Sequence, residues 1–175
     1  LYVKSQFEKN KKLDIGFTPN FVSYKEYIKA LDEGAEITVD NVNLLICHPE
    51  IFSKQAIHLR LDPNIRAGHH KFVKTSGSQS KFGISYQDLE KVQKICQQEN
   101  ISIKGLHAHI GSGIKDESLW TKAAQILITI AGEYFPNCKV LNLGGGFGVR
   151  EQRNEVSLDI VKLKKKSQIE NKVTN

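Results

Sequence analysis

An α/β chain built on a parallel sheet is predicted by three features of the sequence. Short apolar or β-branched segments begin near positions 15, 37, 57, 103 and 140. Each is followed by a stretch with helical periodicity, and turn-forming Gly, Pro, Asn and Asp residues separate the two. Such a βα series gives a parallel sheet, either open and complete or a section of a closed barrel, because five units are fewer than the eight of a (β/α)8 barrel.

The elements follow in order. Ile15-Gly-Phe17 reads as a short strand ended by Thr18-Pro19-Asn20. Ser23 with Glu26 three residues on forms a capping box, and the helix carrying Tyr27, Ile28, Ala30 and Leu31 stops at Gly34. Ile37-Thr-Val39 is the next strand, and Asp40 or Asn41 caps a short helix through Leu45. Ile57–Leu61 is a strand ended by Asp62-Pro63-Asn64. The polar stretch from Ile65 to Lys81 has the length of a functional or disordered loop. Ser85 or Tyr86 starts a helix with Leu89, Val92 and Cys96 on one face. Ile103–Ile110 is a strand with His107 and His109 on one side by the period of two. Asp116 opens a long helix through Ile130, Val140–Leu143 is the last strand, and a final helix is expected from about Ser157 to Lys166.

Composition narrows the function classes. The chain has 175 residues, 39% hydrophobic and 25% charged, enough for one core and one domain. No apolar run approaches the roughly 20 residues of a membrane span, and the charged first dozen residues do not resemble a signal peptide. No Met occurs, which leads us to expect an internal excerpt of a longer protein. The three cysteines, Cys47, Cys96 and Cys138, lack ligand spacing and read as reduced thiols of a cytosolic protein rather than a disulfide or zinc framework. Net charge is +6, and residues 150–175 hold seven Lys/Arg against four Asp/Glu. That basic tail has no aromatic residue to stack a base, so no nucleic-acid partner is expected.

Three strand ends carry unusual residues. Leu143-Gly-Gly-Gly-Phe-Gly148 offers bare backbone N–H groups to an anion, although its spacing is neither a dinucleotide fingerprint nor a P-loop. His107-Ala-His-Ile-Gly-Ser-Gly113 places His109 at a strand end just before a serine between glycines, and no metal-ligand set accompanies it. The loop from Gly68-His-His-Lys71 to Ser80-Lys-Phe-Gly83 is dense in basic and hydroxyl groups and follows the strand holding Arg60. A phosphate site beside an imidazole able to stack on a flat ring points to a phosphorylated heteroaromatic cofactor.

These words, with Phe17-Thr-Pro-Asn-Phe21, Ile37-Thr-Val-Asp40, Leu59-Arg-Leu-Asp-Pro63 and Asn142-Leu-Gly-Gly-Gly-Phe-Gly148, resemble the diaminopimelate decarboxylase branch of the pyridoxal-phosphate decarboxylases of alanine-racemase-like fold. The resemblance runs from about residue 13 to 149. It implies a partial (β/α)8 TIM-type barrel, strands 3–7 of the family barrel, over residues 1–149, with a poorly matched basic helix or tail at 150–175 and no C-terminal β domain. It further implies pyridoxal 5'-phosphate as cofactor. His109 would stack on the ring. Ser112, Gly144, Gly145 and Gly146 would hold the phosphate, and Arg60 would lie near the ring edge. His69 and Lys81 would belong to the active-site wall, Lys81 near a dimer contact.

The Schiff-base lysine of the family lies on its first barrel strand and is expected upstream of Leu1, so no catalytic residue is assigned within the chain, which alone would be inactive. The implied reaction is decarboxylation of meso-2,6-diaminopimelate to L-lysine in lysine biosynthesis, by a cytoplasmic homodimer taking a small amino-acid substrate, with no membrane or nucleic-acid partner. Two alternatives remain: an ornithine-, arginine- or carboxynorspermidine-type decarboxylase of the same fold, and a non-catalytic phosphate-binding α/β module.

Overall fold

The computed structural model describes residues 14–63, 65 and 82–164. Five strands, β1 (Gly16–Phe17), β2 (Glu36–Val39), β3 (Ala56–Leu61), β4 (Ser102–Ala108) and β5 (Val140–Asn142), form one sheet in the order β1-β2-β3-β4-β5. Every pairing is parallel. Four helices connect them: α1 (Tyr24–Asp32), α2 (Val42–Cys47), α3 (Leu89–Gln98) and α4 (Glu117–Tyr134).

That order decides between an open sheet and a barrel section. A doubly wound sheet reverses its strand order once, and the reversal places helices on both faces. Here the order never reverses. Right-handed crossovers that always advance in the same direction put every helix on one face, as on the outside of a (β/α)8 barrel. The chain is therefore a curled half-barrel. Burial agrees with this. Ile37, Val39, Ile57, Leu59 and Leu61 alternate onto the helix side of β2 and β3, where they join Leu45, Phe52, Leu89, Val92, Leu106 and Leu127 in one core.

The other, concave face is polar. Thr38, His58, Arg60 and His107 are all buried on it. Glu36 pairs with Lys104, and its other carboxylate oxygen lies 3.5 Å from Nε2 of His58. Lys104 reaches that position because the β3–β4 register slips between Ile57 and His58. Ile57 faces Ile103 while His58 faces Gly105, which leaves Lys104 as the extra residue of a bulge. Gly105 leaves room for the imidazole, since a Cβ there would lie 2.4 Å from Nδ1 of His58.

Local signals explain the helix boundaries. The Ser23 N–H donates to Glu26 Oε2 at 2.9 Å, the capping box expected before α1. Gly34, at φ +72°, closes α1 in a Schellman turn in which its N–H reaches Leu31 O and the Ala35 N–H reaches Ala30 O. Asn100 closes α3 similarly at φ +55°, with the Ile101 N–H bonded to Cys96 O. Asn41 and Asp116 cap α2 and α4 through their side chains.

Several boundaries differ from those expected. Ser85 caps a 3-10 turn over Tyr86–Asp88, and α3 proper begins at Leu89. β4 ends at Ala108, so His109 stands past the strand rather than in it. The final helix starts at 160 instead of 157. Ser157 Oγ accepts the Arg150 N–H and the Leu158 N–H donates to Gly148 O, which holds these residues against the preceding loop; Asp159 Oδ1 then caps Lys162. Leu158 is buried, so this part of the basic segment packs on the barrel. Cys47, Cys96 and Cys138 are free thiols. Among the described residues no helix is long and apolar enough to cross a membrane.

Candidate functional site

The C-terminal ends of the strands converge, as a parallel architecture requires. Just inside them the register aligns one polar residue per strand: Arg60 on β3 beside His107 on β4, and His107 beside Asn142 on β5. Asp40, one residue past β2, interacts electrostatically with Arg60. From the loop after β1, Asn20 Oδ1 accepts a hydrogen bond from Arg60 Nη1 at 2.6 Å. The guanidinium also lies over the ring of Phe82, 5.1 Å from its centroid, and Phe82 packs on Phe21 at 5.6 Å. Phe21 sits at φ +55°, a strained setting for an aromatic residue, beside the site.

This layer fixes charge. Burial pushes the Asp40 carboxyl up from its ordinary range while Arg60 opposes the shift. Burial is also the main reason that His107 falls to about 4, and the positive charge of Arg60 and the nearby His109 and His58 add to it. His107 is thus a neutral imidazole at physiological pH. Its Nδ1 is buried without a hydrogen-bond partner among the described residues, an arrangement that is costly unless a bound group meets it.

Above the layer, the loop after β5 lies against the loop after β4. A Cβ at Gly144, which sits at φ +71°, would meet Ala108 O at 2.8 Å, His109 Nδ1 at 3.0 Å and His107 Nε2 at 3.3 Å. A Cβ at Gly146, at φ +96°, would lie 1.9 Å from Gly111 O and 3.2 Å from Cα of Ser112. The Ile114 N–H donates to Gly146 O at 3.0 Å, and the Gly148 N–H to Ile114 O at 2.8 Å, joining the loops as a short parallel bridge. Phe147 packs at 4.7 Å on Trp120, fully buried in α4, which anchors the glycine loop to the scaffold.

Gly145 differs from its neighbours. Nothing lies within 4 Å of its would-be Cβ. The Gly144 N–H is bonded to Asn142 Oδ1 at 2.8 Å. No intramolecular acceptor takes the N–H of Gly145 or Gly146 among the described residues. His109 and Ser112 are exposed beside this concavity. A cleft of about 300 Å³, within the range of small-molecule sites, is lined by Arg60, Asp62, Phe82, His109 and Gly111 among others.

The structure therefore brings His109, Ser112, Gly144, Gly145, Gly146 and Arg60 together. His69 and Lys81 lie outside the described residues. Sequence reasoning missed Asn20, Asp40, Phe82 and Asn142 as parts of the site, and left His107 without a role. The Asn-x-Gly spacing at 142–144 and the period of two from His109 back to His107 were usable signals. The contacts of Arg60 with Asn20 and Phe82 join distant segments and leave no local trace.

The residues fit a phosphorylated aromatic ligand: the cradle has no space for a side chain at Gly144 or Gly146, it presents N–H groups with no acceptor among the described residues, and it adjoins an exposed imidazole and a buried guanidinium. Among the described residues no group of three or more His, Cys, Asp or Glu could hold a metal ion.

Comparison with known proteins agrees with this geometry. Residues 11–174 match the family described as "Pyridoxal-dependent decarboxylase, pyridoxal binding domain". The chain is 35% identical over 149 residues to the diaminopimelate decarboxylase of Methanothermobacter thermautotrophicus, covering 82% of this chain and 35% of the relative. To that of Staphylococcus aureus it is 30% identical over 172 residues, covering 91% and 41%. In fold it resembles the crystal structure of diaminopimelate decarboxylase from Helicobacter pylori complexed with L-lysine, with a TM-score of 0.72 at 23% identity, over 89% of this chain and 41% of that one. The chain thus spans between a third and about two fifths of the length of the relatives it matches. With most of its length inside the family match and its strand order that of a barrel section, the chain belongs to the pyridoxal-dependent decarboxylases, in the pyridoxal binding domain.

Proposed function

We propose that the protein to which this chain contributes is a carboxy-lyase that converts meso-2,6-diaminopimelate to L-lysine and CO₂ with pyridoxal 5'-phosphate, as a cytoplasmic homodimer. The observation that carries the cofactor assignment is the closeness of the Gly144–Gly146 turn to His109 and Ser112, with Arg60 on the same cleft. The substrate assignment rests on relatives named diaminopimelate decarboxylase at 30–35% identity.

Pyridoxal phosphate supplies, when bound, the electron sink for the charge left at Cα as CO₂ departs. The chain's own residues bind and orient. The N–H groups of Gly145 and Gly146 and the Ser112 hydroxyl hold the phosphate, and Gly144 shapes the turn. His109 covers a ring face. Arg60, fixed by Asn20 and Phe82, sets a positive charge on the cleft wall, and neutral His107 adds none beneath it. Lys104 is held by Glu36 at the opposite end of the half-barrel, and no lysine lines the cleft among the described residues.

The test is an assay of the complete gene product with pyridoxal phosphate and, separately, meso-diaminopimelate, ornithine and arginine. Lysine and CO₂ from the first are expected, with turnover and cofactor affinity both reduced by His109→Ala. A diamine or agmatine as the main product would overturn the substrate assignment, and unchanged turnover in His109→Ala would overturn the role of that imidazole.

A further inference from the structure

The three-glycine turn is held at both ends and open in the middle. At its far end the Ile114 N–H grips Gly146 O, and the Gly146 Cα edge lies against the Gly111 carbonyl. At its near end the Gly144 N–H donates to Asn142 Oδ1 at 2.8 Å. Gly144 is left-handed and wedged between the Ala108 carbonyl and the imidazoles of His107 and His109, so a small rotation there would displace the His109 ring and redirect the next two N–H groups. Asn142 is the last residue of β5, paired in register with His107, and the strand rigidly fixes its backbone. A side-chain acceptor two residues before a left-handed glycine supplies the partner that the Gly144 N–H otherwise lacks.

We propose that Asn142 is a positioning residue that preforms the phosphate cradle, holding the Gly144 N–H away from the ligand so that the N–H groups of Gly145 and Gly146, together with the His109 ring, are already in place before an anion arrives. The inference rests on the proposed cofactor reading for its ligand, but not for its geometry. Two donors, not three, then serve the phosphate from this turn. A cradle held in one conformation binds more tightly because less ordering accompanies binding.

Two measurements on the ¹⁵N-labelled complete gene product test this. In amide hydrogen exchange without ligand, Asn142→Ala should speed exchange at Gly144 at least about tenfold, the equivalent of one lost hydrogen bond, and leave Leu106 and Ala108 unchanged. Asn142→Asp keeps an acceptor oxygen and should restore most of the protection, which a loss of packing alone would not allow. In titrations with pyridoxal phosphate and with pyridoxal, Asn142→Ala should weaken the first by about tenfold and the second, which lacks the phosphate, clearly less. Unaltered exchange at Gly144, or equal weakening of both compounds, would overturn the proposal. Binding of neither compound by the unsubstituted complete protein would overturn the cofactor reading, and the exchange result would still decide the role of Asn142.

Discussion

Gly146→Ala is expected to destabilise the chain by about 4 kcal/mol, the sum of strain at a left-handed position and of overpacking, and to abolish phosphate binding. The added Cβ would stand 1.9 Å from the Gly111 carbonyl oxygen at φ +96°. Neither obstacle is the tip of a flexible side chain. The backbone of one loop must move away from the other, and the bond from the Ile114 N–H to Gly146 O would go with it. The neighbouring Gly145→Ala is the control. It has open space around it and lies outside the left-handed region, so its stability should stay within about 0.5 kcal/mol of the unsubstituted chain. Urea denaturation of the two variants separates them. Equal stabilities would mean that the two loops are not in contact as described.

The second large effect is on pH dependence. His107 falls from an ordinary 6.5 to about 4 in the folded chain, chiefly by burial and then by Arg60, His109 and His58. The unfolded chain therefore binds more protons than the folded one between these values, and stability falls as pH falls through that window. It is fully present above about 6.5. Between pH 7 and pH 5 this one residue should cost roughly 2 kcal/mol. His58, also lowered by burial, acts in the same direction. Denaturation curves for the chain and for His107→Gln across this range give the comparison. The variant should show a clearly shallower decline, with the share of His58 remaining. Parallel curves would show that His107 is not a buried neutral group.

How far the sequence carried the structure can be read from particular residues. All five strands were legible because each is β-branched or apolar and is closed by a turn-forming residue. The helix starts at Ser23, Asn41 and Asp116 were legible because side-chain capping is local. The choice between an open sheet and a barrel section came only from the family resemblance of the motifs, since strand order is a property of the whole sheet that periodicity does not encode. The bulge at Lys104 shows only in the slipped register against β3, and only the structure explains why Gly105 is glycine.

In the candidate site, the glycines, His109, Ser112 and Arg60 are legible as candidates because they lie at strand ends in recognisable words, and the structure brings them close together. Asn20, Asp40 and Phe82 were missed because their roles arise from contact with Arg60, 40 residues away in the case of Asn20. Asn142 stands within a motif, but its bond to Gly144 appears only once the turn is folded. The sequence therefore marks the candidate ligand contacts better than it does the residues that hold them in place.

On the proposed reading, one phosphate-bearing ring is received between the loop after β4 and the loop after β5. Titration of the ¹⁵N-labelled complete gene product with pyridoxal phosphate, mapping the amide and imidazole signals that move, decides it. The largest shifts are expected at Ser112, Gly145 and Gly146, with a ring-current shift at His109 and little change at Gly144. Shifts confined to the far end of the half-barrel, around Glu36, His58 and Lys104, or none at saturating ligand, would contradict it.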